Sequence, residues 1–443
     1  MKRLEVWGLL AWALMSICVA HAGAEVQDRQ MSLGECVTAG LAKHPRVAVA
    51  EQRVLEAEGR LAARKGVKLP QVAFHTDAQR YDWLPGNKAN ILGGGRTDVY
   101  SAITLSKLLA SSGRAEANID SAYAALEAST AELRRARQDV AFSVSKAYYN
   151  VLRLEAILEA RTEAVVQMQQ HLKVAEERYA VGKAAKLDAL RAEVQLADVT
   201  QAKLLAMNQV QTAKLELLNA MGIDDLSVRI SPMKDVEPAP SFTDIDQFLD
   251  EAFRIHPDYL KAALLAKASE YDLRTARAES GPELSLLGNY NREGKDIPEI
   301  DNWNIGLSLT IPIYAGGITQ ANIKQADAAL MQRRSNCDLV KQTVALEVAS
   351  AVLATQDALN RREATGKSVD QARESLRVAQ EKYSAGLGSS TEVIDAEVAL
   401  VQAETNYTEA FYDGKIALAR LDYAIGRDPA VVDTQSAAGG MEK

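Results

Sequence analysis

The sequence is poor in cysteine, in aromatic residues and in positive charge. Three cysteines in 443 residues exclude a disulfide scaffold and a cysteine-rich metal module, because both need more thiols at regular spacing. Aromatic side chains make up only 5% of the chain. Lys and Arg total 51 against 59 Asp and Glu, so the formal net charge is −8. This balance excludes a nucleic-acid binder, which must present a basic face to phosphates.

Long apolar runs are also absent, apart from one short run near the N-terminus. Lys2 and Arg3 precede an almost wholly apolar stretch at residues 9–20, and small residues at 20, 22 and 24 give two possible small-x-small cleavage patterns. A run of about 12 residues is too short to span a bilayer and is typical of a secretory signal. We therefore expect a signal peptide over residues 1–22 and an exported mature chain. Ile17, where a small residue should precede a lipidated Cys18, argues against a lipoprotein.

The rest of the chain is an internal duplication. His44-Pro45 recurs as His256-Pro257 at an offset of 212 residues, and later motifs recur at an offset of 204. The two repeats therefore differ by one loop of variable length. We predict a first repeat at residues 23–230, a proline-rich linker at 231–241, a second repeat at 242–428 and a C-terminal tail at 429–443.

Proline is missing from two long stretches, residues 86–231 and 313–428. In the first stretch an apolar stripe advances in steps of three and four, which is the spacing of coiled-coil helices. Its members are Ile119, Ala122, Leu126, Leu133, Ala136 and Val140. The pattern predicts helices at residues 32–68, 114–178 and 188–221, with counterparts in the second repeat. An ordinary long helical bundle remains an alternative at this point.

Shorter segments between the helices have a period of two. Trp303, Ile305, Leu307 and Leu309 alternate with small or polar residues, and weaker alternation occurs near residues 72–74, 99–105 and 284–286. Segments of about ten residues with one apolar face are typical of transmembrane barrel strands. Trp83 and Trp303 lie near hairpin loops, where interfacial aromatics are expected. A soluble hairpin with an aromatic plug is the alternative.

Four strands per chain do not suffice for a membrane barrel. About eight strands are the minimum for closure, and open strand edges are not tolerated in lipid. We therefore predict a mainly α fold with long coiled-coil helices, whose four strands join those of other copies in a membrane β-barrel.

The sequence resembles the TolC-like outer-membrane efflux proteins, also called outer membrane factors. The motif at residues 178–182 followed by Asp188, and its partner at 382–386 followed by Glu392, carry the resemblance. It implies a homotrimer with a 12-stranded barrel in the outer membrane of a Gram-negative bacterium and a helical tunnel across the periplasm. It further implies coupling to a periplasmic membrane fusion (adaptor) protein and to an inner-membrane pump of the RND or ABC type.

The resemblance also implies a functional region at the turns, residues 181–187 and 385–391. Glycine readily adopts a positive φ, so Gly182 and Gly386 are predicted to end the long helices. The residues expected to dock the adaptor are Gly182, Lys183, Gly386, Leu387 and Gly388. Asp188 and Tyr383 stand where two members of the family's gate belong, Gly388 takes the place of its arginine, and Glu392 is a further gate candidate. Asp188 could instead be a residue that favours a helix start.

The other polar residues indicate neither an enzyme nor a resident cofactor or metal. His44 and His256 precede prolines at matched positions, which favours a structural role, and His75 and His171 lack metal-ligand spacing. Cys36 and Cys337 could pair in an oxidising compartment, although a buried free Cys337 is favoured. The leading hypothesis is an export duct whose cargo is chosen by the pump, and the alternative is a periplasmic coiled-coil adaptor or structural rod.

Overall fold

The computed structural model describes residues 29–81, 96–224, 230–232, 245–295 and 300–428. The predicted signal peptide, Trp83, most of the predicted linker and the predicted tail lie outside these ranges. Within them, no helix has both the length and the apolarity needed to cross a bilayer.

Helices dominate the described residues, and one order of elements occurs twice. Each half has two consecutive helices, two strands, a very long helix and a further helix. In the first half these are α1 (Leu33–Lys43), α2 (Pro45–Gly66), β2 (Gln71–Tyr81), β3 (Arg96–Ala110), α3 (Arg114–Ala180) and α4 (Lys186–Ala220). In the second half they are α5 (Ile245–Ile255), α6 (Pro257–Ala278), β5 (Glu283–Lys295), β6 (Ile300–Thr310), α7 (Ile318–Ala385) and α8 (Ser390–Ile425). Short strands β1 (Arg29–Met31) and β4 (Ile230–Pro232) pair in parallel.

The long helices are confirmed. Helix α3 has 67 residues and α7 has 68, so each is about 100 Å long at 1.5 Å per residue. The predicted stripe of α3 is confirmed only in part. Val140 is 2% exposed, whereas Ile119 and Leu133 are only partly buried, and other buried positions of α3 lie outside the stripe, among them Ala117, Ala124 and Ala131.

The prediction of one continuous helix over residues 32–68 is wrong, because the chain breaks at His44. His44 has extended backbone angles, φ −69° and ψ 127°, and Pro45 begins the next helix. His256 and Pro257 repeat the arrangement at φ −64° and ψ 120°. Proline lacks the N–H that an inner helical turn needs, and its ring drives the preceding residue out of the helical region.

Strands β2, β3, β5 and β6 form one antiparallel sheet in that order. One row across the sheet consists of residues in direct register, Phe74, Ile103, Tyr290 and Trp303. All four side chains are exposed, and Trp303 is 72% exposed. Leu307 and Leu309 continue this face along β6. The predicted alternation is therefore confirmed, with the apolar face of the sheet open to its surroundings.

The opposite face of the sheet is polar. A neighbouring row in register consists of Ala73, Thr104, Asn289 and Asn304. Side chains alternate between faces along a strand, so this row projects away from the apolar one. The sheet thus has one apolar face and one more polar face, although Leu287 also lies on the second face.

Two compact units divide the chain, and each half of the sequence contributes to both. One unit comprises Met1–Val47, Arg137–Ile245 and Ala349–Lys443, and includes the turns between α3 and α4 and between α7 and α8. The other comprises Ala48–Ala136 and Asp246–Val348, and includes the four-stranded sheet. The repeat boundaries drawn from the sequence remain a prediction.

Candidate functional site at the hairpin turns

Both helical hairpin turns end their first helix with the same backbone motif. Gly182 has φ +73° and Gly386 has φ +77°. The N–H of Gly182 donates to the carbonyl of Tyr179 at 2.9 Å, and the N–H of Lys183 donates to that of Arg178 at 2.8 Å. These paired bonds define a Schellman motif, in which glycine accepts the left-handed conformation at little cost. Leu387 and Lys382 form the corresponding outer bond in the second turn, at 2.9 Å. The predicted helix-ending role of the two glycines is confirmed.

The two candidate gate carboxylates lie at the starts of the following helices. Asp188 Oδ2 accepts from the N–H of Ala185 at 3.3 Å, ahead of α4. Glu392 and Ser389 form a reciprocal capping box ahead of α8. The N-terminal end of a helix favours negative charge, so both carboxylates stabilise the helix starts. This geometry supports the helix-start interpretation of Asp188.

Tyr383 is buried and covered by an arginine from the other hairpin. The Arg178 guanidinium carbon lies 4.7 Å from the Tyr383 ring centroid, a cation–π contact. Arg178 Nη1 also donates to the carbonyl oxygens of Tyr383 and Ser384. These carbonyls belong to the last turn of α7, where the helix dipole favours positive charge. An arginine therefore holds this turn, although Gly388 occupies the position at which the family resemblance places one.

His171 of α3 joins the same cluster. Its side chain is 7% exposed, Nε2 lies 2.9 Å from Ser390 Oγ, and its ring centroid lies 5.3 Å from that of Tyr383. Burial lowers the pKa of His171 and Asp188 partly offsets the effect, so the imidazole is neutral at pH 7. Burial also raises the pKa of Tyr383, against the opposing charge of Arg178. Arg178, Tyr383, His171 and Ser390 together link α3 to α7 and α8.

Sequence reasoning assigned no role to Arg178 or His171. One signal for Arg178 was available, since Lys382 is its repeat counterpart and the basic position before the turn recurs. His171 has no such signal, because its partners Tyr383 and Ser390 lie more than 200 residues away.

Four of the five predicted docking residues are exposed at the turns, and the fifth, Gly388, is half-buried. Leu387 is 83% exposed, and Val181 and Leu187 are also exposed large apolar side chains. Lys183 and Gly182 are exposed beside them. The first turn thus presents apolar and basic groups to its surroundings, and the second turn presents the apolar Leu387.

The two cysteines considered in the sequence analysis are both free thiols. Cys36 is a buried free thiol whose pKa burial raises to about 12, and Cys337 is a free thiol as well. Cys337 is half-buried, so its interpretation as a buried core residue is wrong. It lies on α7 among exposed neighbours. In the described part of the chain no group of three or more His, Cys, Asp or Glu residues could hold a metal ion.

The sheet carries an aromatic pair followed by an ion pair at one end of its apolar face. Trp303 and Tyr290 are direct cross-strand partners. Two residues further along, Arg292 pairs with Asp301 in register and through a salt bridge. The apolar surface therefore gives way to aromatic and then charged groups within two residues.

These features define a class of protein with long helical hairpins, a two-faced sheet and exposed helical turns. The chain belongs to the family described as Outer membrane efflux protein, whose model matches residues 38–223 and 248–427.

Individual relatives have low sequence identity to this chain, but the similarity covers most of both chains. The outer membrane efflux protein BepC of Brucella suis is 25% identical over 72% of this chain and 71% of its own length. The outer membrane protein OprJ of Pseudomonas aeruginosa is 26% identical over 79% of this chain and 77% of its own length. The crystal structure of VceC from Vibrio cholerae superimposes with a TM-score of 0.77 at 21% identity, covering 89% of this chain and 96% of that one.

The family membership confirms the main functional hypothesis and not the alternative. The chain is an outer-membrane efflux channel of a Gram-negative bacterium with an extended periplasmic part, and not a periplasmic adaptor or rod. The mainly helical fold with four long strands is likewise confirmed.

Proposed function

We propose that this chain is the exit duct of a tripartite efflux or type I secretion system. It acts as a homotrimer, coupled to a periplasmic adaptor and to an inner-membrane pump of the RND or ABC type. The observation that carries the proposal is the four-stranded sheet, which has an apolar face, a polar face, and β2 and β6 at its edges. Unpaired strand edges are not tolerated in lipid, and three copies supply the twelve strands of a closed barrel.

In this arrangement the apolar face of the sheet contacts lipid and the polar face lines the lumen. Trp303 and Tyr290 then lie at a membrane–water interface, where aromatic side chains are favoured. The Arg292–Asp301 ion pair beyond them lies in water. The strand ends at Tyr81, Arg96, Lys295 and Ile300 then lie on the side of the cell exterior.

The exposed turns are the proposed docking surface for the adaptor, through Gly182, Lys183, Gly386, Leu387 and Gly388. Leu387 is the most exposed apolar side chain of these turns. A photo-crosslinking amino acid in place of Leu387 should trap the adaptor in cells. The same substitution at Val49, an exposed apolar residue of α2, is the matched control and should not. Equal crosslinking from both positions, or from neither, contradicts docking at the turns.

The same turns are the proposed gate, with Asp188, Tyr383 and Glu392 acting beside Arg178. Three copies of Asp188 and Glu392 would bring six carboxylates together near a constriction. Like charges this close repel unless cations or basic groups compensate them, so the pore should prefer cations and conduct weakly when closed.

Planar-bilayer recording of Asp188→Ala tests this gate. A rise in conductance is expected if Asp188 holds the turns together, and a fall in cation preference is expected if it lines the lumen. Unchanged conductance and unchanged selectivity would leave Asp188 only as a first-turn residue that stabilises the start of α4, and the gate proposal would fail.

A further inference from the structure

A cavity of about 190 Å³ lies between helices α3, α4 and α8, within one compact unit. Helix α3 contributes Arg161 and Met168, α4 contributes Asp198 and Val199, and α8 contributes Glu397 and Val401. The gate cluster described above shares none of these residues.

Glu397 is the unusual member of the lining. Its side chain is only 5% exposed, and neither carboxylate oxygen accepts a hydrogen bond from any part of the chain that the structure describes. Burial without a compensating charge raises the pKa of Glu397 to about 7. Buried carboxyl groups without partners are rare, because burial removes the hydrogen bonds that water would supply. A buried, unpartnered carboxyl group such as that of Glu397 is typical of a binding position for a ligand.

The internal repeat shows that helical periodicity does not account for this burial. Glu193 of α4 is the repeat counterpart of Glu397, with alanine before it and valine after it in both repeats. Glu193 is exposed to solvent, whereas Glu397 is buried at the cavity. The same local sequence thus gives an ordinary surface acid in one repeat and an unpaired buried acid in the other.

The residues that line the cavity indicate which class of ligand fits it. Glu397 and Asp198 are acidic, Arg161 is the basic residue of the lining, and Met168, Val199 and Val401 provide apolar walls. A water molecule occupies about 30 Å³ in the liquid, so the cavity is several times larger than a bare ion needs. Two carboxylates beside a guanidinium are also a poor donor set for a divalent metal. A positive head group on a short apolar chain matches both parts of the lining.

We propose that this cavity binds a small primary alkylammonium cation, with the Glu397 carboxylate as its counter-ion. The ammonium group donates hydrogen bonds to Glu397, and the alkyl chain lies against Met168, Val199 and Val401. Binding requires the ionised carboxylate, so a proton leaves Glu397 for the buffer as the cation enters.

The ionisation of Glu397 sets the pH dependence of binding, and burial is the cause of its raised pKa. Arg161 of α3 and Asp198 of α4 are the other charged residues that line the cavity, and their charges are opposite. Helix α7 packs on α8 mainly through apolar residues such as Leu376 and Leu400, and its Arg373 is paired with Glu404 at 3.2 Å. Affinity should therefore rise roughly tenfold from pH 6 to pH 8, as Glu397 becomes ionised.

The test is calorimetric titration of the full-length channel in detergent with n-butylammonium chloride at pH 6 and pH 8. Neutral n-butanol is the control ligand, and sodium chloride controls for ionic strength. We expect saturable binding that is tighter at pH 8, with proton uptake by the buffer. Absence of saturable binding at millimolar concentrations, or binding that does not change with pH, would overturn the proposal.

Two variants assign the site and one matched variant controls for charge. Glu397→Gln removes the counter-ion at nearly constant volume and should abolish binding. Ala202 of α4 also lines the cavity, so Ala202→Leu should weaken binding by filling it. Glu193→Gln removes the same charge at the exposed repeat position and should bind as the parent does. Binding retained by Glu397→Gln and Ala202→Leu, or lost equally in Glu193→Gln, would place the cation elsewhere. Neither result bears on the channel function proposed above.

Discussion

Residues at matched positions of the two repeats meet different surroundings, and the histidines show this clearly. His44 is half-buried, and its Nδ1 accepts a hydrogen bond from the N–H of Arg46 at 3.1 Å. His256 is fully buried, and neither ring nitrogen has a hydrogen-bond partner among the described residues. Burial and the charge of Arg135 lower the pKa of His256 to about 4. His256 is thus a neutral, structural residue, as the sequence predicts.

The lowered pKa of His256 predicts a loss of stability in acid. Its folded-state value lies below the value near 6.5 of an unfolded chain, so its contribution is complete above that pH and is lost as the pH falls towards 4. The loss is at most about 3 kcal/mol by the conversion of pKa differences into free energy. Unfolding midpoints at pH 7.5 and 4.5 should differ less in His256→Gln than in the parent protein.

His44→Gln is the control for this prediction, since it removes a half-buried histidine at the equivalent position. Burial lowers the pKa of His44 as well, but this ring is less buried than that of His256. Acid sensitivity should therefore stay closer to that of the parent in His44→Gln than in His256→Gln. If His256→Gln loses as much stability in acid as the parent does, another group accounts for the pH dependence.

Among the elements, strand β6 places consecutive residues on opposite faces of the sheet. Leu307 lies on the apolar face and is 68% exposed, whereas Ser308 points to the opposite face. Leu307→Arg should reduce assembly in the outer membrane, because a basic side chain near the bilayer midplane costs about 2–4 kcal/mol. Ser308→Arg should assemble normally and change ion selectivity through the lumen. Heat-modifiable mobility in gels measures assembly, and equal assembly of the two variants would contradict this assignment of faces.

The helices show which elements a sequence predicts well. Absence of proline over long stretches and the glycines at 182 and 386 locate α3 and α7 to within a few residues. The helix break at His44 was not predicted, although the sequence has a proline at position 45. The apolar periodicity continues across this position and suggested one helix. The proline geometry overrides that periodicity, since the missing N–H and the ring clash are local and unavoidable.

For the whole molecule, the sheet predicts a trimer. Four strands with β2 and β6 at the edges leave hydrogen-bonding groups that three copies can satisfy by closing a ring. Native mass measurement in mild detergent should give three chains, and the complex should resist heat because no edge remains open. A stable monomer or dimer under these conditions would contradict the proposed barrel.

The long helices, the twofold repetition and the two-faced strands follow from the amino-acid sequence alone. Each of these is a local pattern, in which proline, glycine and the spacing of apolar residues act over a few positions. The packing of distant helices is what brings Arg178 over Tyr383 and buries Glu397 while Glu193 stays exposed. Arg178 and Tyr383 lie 205 residues apart, and the two glutamates share one local motif. Their roles depend on which helices pack beside them, and no local pattern in the chain encodes that packing.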